Sequence, residues 1–220
     1  MVDEIDFIYA ADENYNKQLA ISINSLLSNL SVNANIHVIH KNVESFNNYL
    51  YLFDEYNNLS NLNFYQFEKN NHFFPNIENS HISEATYYRL FTDKYIDQSI
   101  RNYLYLDSDI VCLNDPYQEI KKIFKLLEDN NQPLAARTEL LKDQNIQKFQ
   151  SLGLNGNKYF NAGVIFVNHK NWLNNNVYGN LLNSIEKIKE KLEFWDQDVL
   201  NFYFDGDFIE INNKLNYNLD

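Results

Sequence analysis

Short apolar runs alternate with amphipathic segments along the whole 220-residue chain, and this alternation most limits what the chain can fold into. Apolar runs of about four to eight residues are typical of buried strands, whereas apolar residues three and four positions apart indicate helices packed on them. The predicted strands are 5–11, 35–40, 62–67, 102–106, 160–167 and 208–211. The predicted helices are 16–30, 45–56, 83–95, 116–128, 177–192 and 196–203.

Strands and helices in this order predict an α/β fold with a mixed, mainly parallel sheet that carries helices on both faces. Apolar residues make up 45% of the chain and aromatic residues 15%, which is enough to build a core and excludes intrinsic disorder. Neither a linker nor a repeat interrupts the pattern. Residues 1–220 are therefore expected to form a single domain.

The formal net charge of -12 argues against nucleic acid as a partner, because a phosphate backbone requires clustered Lys and Arg. An anionic substrate would need local positive charge or a divalent cation. The single Cys112 excludes an internal disulfide, and no apolar run reaches the roughly 18 residues of a membrane helix. With no signal-peptide pattern at the N-terminus, a cytoplasmic location is expected.

Glycine-rich phosphate loops are absent, because Gly153 and Gly156 alone do not supply the spacing of a dinucleotide or P-loop motif. The most informative segment is instead the predicted strand at 102–106, which runs directly into Asp107 and Asp109. Ligands of open α/β sheets lie at the carboxyl ends of strands. Two carboxylates on one side of an extended chain could hold one hard cation there.

Two other interpretations of this D-x-D segment remain open. The pair could cap a turn, or it could be the nucleophile loop of a haloacid-dehalogenase-like phosphatase. The phosphatase motif belongs on the first strand, whereas about 100 residues precede it here.

Three further segments place polar groups beside small residues at element ends. They are Ala10 to Tyr15, Tyr159 to Val164 and Trp195 to Leu200. Each also has a plain structural interpretation: Asp12 and Asn14 could cap a helix, Asn161 could belong to a turn, and Asp196 could favour a helix start.

In this order, five segments resemble glycosyltransferase family 8. They are 7–15, 81–83 with 86–90, 105–109, 159–163 and 196–198. The resemblance implies a GT-A fold and the retaining transfer of a hexose, from UDP-galactose or UDP-glucose, to a glycan or glycoprotein acceptor. It also implies Mn²⁺ or Mg²⁺ as cofactor and permits peripheral association with a membrane.

The resemblance assigns roles to individual residues. Ala10, Asp12, Asn14 and Tyr15 would hold the uridine, while Asp107 and Asp109 would bind the metal ion. Arg89, Asn161 and Asp196 would contact the donor sugar, and Gln197 would face the anomeric carbon. We expect front-face attack by the acceptor, with Gln197 stabilising positive charge on the sugar, because a neutral amide is a poor nucleophile. Arg89 could alternatively pair with Asp93, four residues along the predicted helix.

One departure concerns the C-terminus. The family's third metal ligand is a His in an H-x-x-G-x-x-K-P-W-type segment, and this sequence ends at Asp220 without it. Weaker binding of metal and UDP is expected from two carboxylates alone. A catalytically silent protein that binds nucleotide sugars therefore remains an alternative.

Overall fold

The computed structural model describes residues 3–70, 74–75 and 83–217. Its centre is a seven-stranded sheet in the order β3-β2-β1-β4-β6-β5-β7. The strands are β1 (Glu4–Ala11), β2 (Asn33–His40), β3 (Leu59–Gln66), β4 (Asn102–Asp107), β5 (Leu134–Leu141), β6 (Lys158–Asn168) and β7 (Ile209–Glu210). The described helices are α1 (Asn16–Asn29), α2 (Tyr117–Asp129), α3 (Ile146–Leu152), α4 (His169–Asn174), α5 (Val177–Ile188) and α6 (Trp195–Phe204). Two long 3₁₀ helices, Val43–Phe53 and Glu84–Lys94, add to them, with short 3₁₀ turns at Glu13–Tyr15, Lys189–Lys191 and Asn213–Leu215.

The predicted mixed sheet is confirmed. Strands β1, β2, β3 and β4 are mutually parallel where they pair, and β5 is parallel to β7, whereas β6 runs antiparallel to both β4 and β5. Because β6 is antiparallel to β4, the beginning of β6 lies beside the end of β4. The carboxyl ends of β1 and β4 and the amino end of β6 therefore meet at one edge of the sheet.

Helices cover both faces of the sheet, as predicted. Helices α1 and α2 pack with the 3₁₀ helix Val43–Phe53 on one face, where Leu19, Phe46 and Ile123 are buried. The other face carries the 3₁₀ helix Glu84–Lys94 together with α3, α4, α5 and α6. Successive strand residues supply the two cores in turn, because neighbouring side chains of a strand point to opposite faces.

The sequence-based element assignment differs from the structure at five elements. Strand β5 and helices α3 and α4 were not predicted, since their residues show no long apolar run. The segments predicted as helices at 45–56 and 83–95 adopt mainly 3₁₀ geometry. This difference changes which side chains face each other, with consequences for Arg89 described below.

Within the described part of the chain, every helix is too short or too polar to cross a bilayer.

Candidate active site

A cavity of about 180 Å³ opens at the edge of the sheet where β1 and β4 end. Ala10 pairs with Asp107 across these two parallel strands, and the Ser108 hydroxyl donates to the Ala10 carbonyl oxygen at 2.8 Å. The cavity is lined in part by six residues that the sequence analysis placed in the site: Ala10, Asp12, Tyr15, Arg89, Asp107 and Asp109. The two halves of the predicted nucleotide and metal site are thus adjacent in the fold.

The D-x-D segment places its two carboxylates in different surroundings. Asp107 ends β4, and one third of its side chain is exposed, whereas Asp109 is exposed in the turn that follows. The Oδ1 atom of Asp107 accepts from the Tyr105 hydroxyl at 3.2 Å. Its Oδ2 atom lies 3.1 Å from where a Cβ on residue 163 would stand, so Gly163 leaves this oxygen accessible.

Arg89 connects two parts of the site that are far apart in sequence. It is 9% exposed and projects from the 3₁₀ helix Glu84–Lys94. Its Nη2 atom lies 2.7 Å from Asp107 Oδ1, and its Nε atom lies 2.7 Å from Asp196 Oδ2. The Nη1 atom donates to the Ala162 carbonyl oxygen, and the guanidinium stacks 4.6 Å from the centre of the Tyr105 ring. Arg89 therefore fixes the ends of β4, β6 and α6 relative to one another.

The alternative pairing of Arg89 with Asp93 is wrong. In an α-helix, residues four apart lie on one face, but a 3₁₀ helix advances about 120° per residue and turns them apart. Asp93 instead lies 3.8 Å from His169 Nε2, near the opposite end of β4 from the cavity.

Burial governs the ionisation of both carboxylates that contact Arg89. Burial raises the pKa of Asp196 to about 6, even though Arg89 and a hydrogen bond from the Thr86 hydroxyl favour the charged form. Burial also raises the pKa of Asp107, opposed by Arg89 and reinforced by the neighbouring charge of Asp109. Asp196 is 2% exposed, and its carboxylate holds the Arg89 guanidinium in place through their ion pair.

On the β1 side of the cavity, a short turn carries the residues predicted to hold the uridine. The Asp12 carboxylate accepts from the Asn14 backbone N–H at 2.9 Å and caps the 3₁₀ turn Glu13–Tyr15. The capping interpretation of Asp12 is therefore correct, and it does not conflict with a site role, because Asp12 also lines the cavity. Asn14 is exposed, with its Nδ2 atom 3.4 Å from Asp12 Oδ2. Tyr15 is half-buried at the cavity wall.

The beginning of β6 brings Asn161 to the same edge of the sheet. The Asn161 Oδ1 atom accepts from the Gly163 backbone N–H and from Asn216 Nδ2, both at 2.9 Å. Asn216 is 7% exposed and follows the last 3₁₀ turn of the described chain. Sequence reasoning missed Asn216, which had no pattern around it to single it out.

Gln197 lies in the first turn of α6 with its carboxamide held on both sides. Its Oε1 atom accepts from the Ala162 backbone N–H at 2.9 Å. Its Nε2 atom donates to Glu139 Oε2 at 2.9 Å and lies 3.3 Å from the Tyr159 hydroxyl. Glu139 lies on β5, the strand that the sequence analysis did not predict, which is why this partner was missed.

The chemistry of the site fits a hard divalent cation in part. Carboxylate oxygens are the ligands that Mg²⁺ and Mn²⁺ prefer, and Asp107 and Asp109 supply them at the mouth of the cavity. With Arg89 and Asp196, these groups carry one positive and three negative charges when ionised, so a net charge of about -2 remains. No group of three or more candidate metal ligands occurs among the residues that the structure describes.

The sequence pattern described as Glycosyl transferase family 8 matches residues 6–219. The chain belongs to glycosyltransferase family 8. Of the predicted middle signature, His81 and Ile82 lie outside the described residues, whereas Thr86 and Arg89 contribute to the site as shown above.

Individual relatives agree with this membership. A lipopolysaccharide 1,2-glucosyltransferase of Escherichia coli is 30% identical over 205 residues, which cover 89% of this chain and 57% of that protein. General stress protein A of Bacillus subtilis is 29% identical over 152 residues, which cover 64% of this chain and 48% of that protein. This family 8 chain thus spans less than two thirds of the length of these relatives.

Among solved structures, the galactosyltransferase LgtC in complex with donor and acceptor sugar analogues superposes with a TM-score of 0.80. The match covers 96% of this chain and 74% of LgtC at 24% identity. It confirms the GT-A fold expected from the resemblance.

Proposed function

We propose that this family 8 chain is a metal-dependent retaining hexosyltransferase that moves galactose or glucose from a UDP-sugar to a glycan or glycoprotein acceptor. The observation that carries the proposal is the Arg89 bridge. It joins the D-x-D carboxylate of Asp107 to Asp196, in the same cavity that Asp12 and Tyr15 line. Residues from four separate segments that resemble the family are thereby brought to one edge of the sheet.

In the proposed complex, Asp12 accepts from the uracil N–H and Tyr15 stacks on the base, with Ala10 and Asn14 beside the uridine. Asp107 and Asp109 would hold Mn²⁺ or Mg²⁺, which supplies charge neutralisation for the departing diphosphate. Asn161 and Arg89 lie on the sugar side of these carboxylates. Asp196 keeps the Arg89 guanidinium in place through its 2.7 Å ion pair.

Gln197 is the residue that we propose beside the anomeric carbon. Its Oε1 atom uses one lone pair for the Ala162 N–H, so the second remains available to stabilise positive charge on the sugar. The partners Glu139 and Tyr159 fix the orientation of the carboxamide. A preorganised dipole of this kind favours front-face attack by the acceptor over a covalent intermediate on an amide.

The D-x-D pair is tested by titrating UDP into the protein with and without Mn²⁺, for wild type and Asp109→Asn. We expect metal-dependent binding that weakens about tenfold or more in the variant, because half of the carboxylate ligands are lost. Asp129→Asn is the matched control, since Asp129 is an exposed carboxylate at the other edge of the sheet. UDP affinity that is the same with and without Mn²⁺, and the same in wild type and Asp109→Asn, would contradict the proposal.

A protein that binds nucleotide sugars without transferring them is the second candidate. It is favoured by the donor set, because Asp107 and Asp109 supply two carboxylates and the described residues contain no group of three or more candidate metal ligands. Release of UDP from UDP-glucose or UDP-galactose, measured with and without an acceptor mixture, separates the two candidates. Binding without any release identifies the silent protein, and release of phosphate from an aryl phosphate would identify the phosphatase alternative.

A further inference from the structure

Arg137 is a cation without a partner inside the described part of the chain. It is half-buried on β5, and its Nε atom is buried without a hydrogen-bond acceptor. The other two arginines are paired, Arg89 with Asp107 and Asp196, and Arg101 with Glu128. Buried polar groups without partners are uncommon and unfavourable, so an unpaired guanidinium indicates a place where something else binds.

The position of Arg137 relates it to the candidate active site. Arg137 is paired with Asn161 across β5 and β6, and directly opposed residues of antiparallel strands project to the same face. Asn161 Oδ1 and Asp107 Oδ2 each lie 3.1 Å from the point where a Cβ on Gly163 would stand. Arg137 therefore lies beside Asn161, which in turn lies close to the Asp107 carboxylate.

The Asn161 carboxamide can present only its N–H groups to a ligand. Both lone pairs of its Oδ1 atom are used, one by the Gly163 backbone N–H and the other by Asn216 Nδ2. Its own Nδ2 has no hydrogen-bond acceptor among the described residues. The pair formed by Arg137 and Asn161 thus offers hydrogen-bond donors and a positive charge, with no acceptor.

A guanidinium beside an amide N–H donor, with no acceptor between them, favours the binding of an oxyanion. The planar fork of Arg matches the oxygens of phosphate, and hydrogen bonds to charged groups are stronger than neutral ones. We infer that Arg137 and Asn161 Nδ2 form an oxyanion subsite beside the D-x-D pair, oriented by Asn216, and that it binds a phosphate group of a substrate. The inference deepens the proposed function and rests on it for the identity of that substrate.

Two substrates could supply such a phosphate: the diphosphate of the donor, or a phosphorylated acceptor. The test compares wild type with Arg137→Gln and Arg137→Lys in titrations with uridine, UDP, inorganic pyrophosphate and inorganic phosphate. Arg101→Gln is the matched control, because it removes the same charge from an exposed arginine. Asn216→Ala tests orientation, since it frees Asn161 Oδ1 to turn towards the ligand.

If the donor supplies the phosphate, Arg137→Gln weakens UDP and pyrophosphate binding about tenfold or more and leaves uridine binding unchanged. Arg137→Lys and Asn216→Ala then show smaller losses. If the acceptor supplies it, UDP binding is unchanged, and the UDP-loaded variant loses the phosphate binding that wild type shows. Unchanged binding of all four probes overturns the inference.

Stability without ligand provides the second readout. A half-buried guanidinium whose Nε atom has no hydrogen-bond acceptor does not stabilise the fold, so Arg137→Gln is expected to keep or raise the melting temperature of the ligand-free protein. A marked loss of stability would show that Arg137 has a structural partner, and it would overturn the inference. Pyrophosphate and phosphate contain no nucleotide, so the subsite can be confirmed even if wild type fails to bind UDP and the proposed function is wrong.

Discussion

The carboxylates of Asp93 and Asp196 both have raised pKa values, but they lie in very different surroundings. Burial raises the pKa of each to about 6. Asp196 is held by Arg89 and Thr86 in the site, whereas Asp93 lies 3.8 Å from His169 Nε2, and the charge of Lys94 and a hydrogen bond from Thr92 offset only part of the cost of its burial. Asp93 is therefore a carboxylate whose charge the fold compensates only in part.

Replacing Asp93 by Asn should stabilise the protein at alkaline pH. The native pKa lies above the unfolded value, so the contribution of Asp93 to stability is complete below about pH 4 and is lost as pH rises through about 6. We expect Asp93→Asn to raise the free energy of unfolding by about 1–3 kcal/mol at pH 8 and to change it little at pH 4. Urea denaturation at both pH values measures the difference.

Asp97→Asn is the control of opposite sign. A hydrogen bond from the Ser99 backbone N–H lowers the pKa of Asp97, so its removal cannot stabilise the protein at high pH. Burial lowers the pKa of His169, whose Nδ1 donates to the Ile100 carbonyl oxygen, so the ring adds no positive charge beside Asp93 at pH 8. An Asp93→Asn variant that is less stable than wild type at pH 8 would show that the carboxylate has a favourable partner.

Arg89 shows what residue spacing can and cannot predict. The resemblance to the family predicts its place in the site, and in the structure it contacts the D-x-D carboxylate of Asp107. Its other partner, Asp196, is 107 positions away, and no local pattern indicates such a contact. A pair with Asp93, four residues along, would have been possible in an α-helix. The spacing of apolar residues does not distinguish an α-helix from the 3₁₀ helix that forms here.

At the scale of elements, the strands buried on both faces were predictable and β5 was not. Strands β1, β4 and β6 consist of nearly continuous apolar residues, which is the pattern of a central strand. The second half of β5 contains Thr138 and Glu139 beside two leucines and is partly or fully exposed, and two register shifts interrupt its pairing with β6. Glu139 and Arg137 lie on this strand, so the contacts they add to the site could not be predicted either.

Helix α6 depends on one buried carboxylate at its start. Asp198 is fully buried and accepts from the backbone N–H groups of Glu193 and Phe194 at 2.7 and 2.8 Å. It also accepts from the Tyr159 hydroxyl at 2.6 Å and pairs with Lys148 at 2.9 Å. The side chain thus caps the first turn that carries the proposed catalytic Gln197.

Asp198→Asn should therefore destabilise the protein by about 3 kcal/mol or more, because it leaves the Lys148 charge without its buried partner and exchanges an acceptor for a donor. Glu193→Gln removes the other, exposed partner of Lys148 and should cost less than about 1 kcal/mol. Chemical denaturation compares the two variants. Equal losses of unfolding free energy in the two variants would show that the ion pairs of Lys148, and not the hydrogen bonds at the start of α6, determine the stability.

At the scale of the whole molecule, one sheet separates two apolar cores, and its strands contribute residues to both. Ile123 of α2 is buried in the core on one face, and Ile185 of α5 is buried in the core on the other. The strands between them contribute residues to both cores, as Tyr105 and Leu106 of β4 illustrate. Neither layer of helices can remain packed once the strands separate, so residues 1–220 should unfold as the single domain that the sequence predicts.

The paired variants Ile123→Val and Ile185→Val test this dependence. Each removes one buried methylene and should cost about 0.5–1.5 kcal/mol. Because the sheet lies between the two side chains, the double variant should lose the sum of the two costs to within about 0.5 kcal/mol. Cooperativity gives a second criterion: fluorescence and far-UV circular dichroism should report one common transition in all three variants. Two separate transitions, each shifted by only one of the substitutions, would show that the helical layers unfold independently and that the chain has more than one cooperative unit.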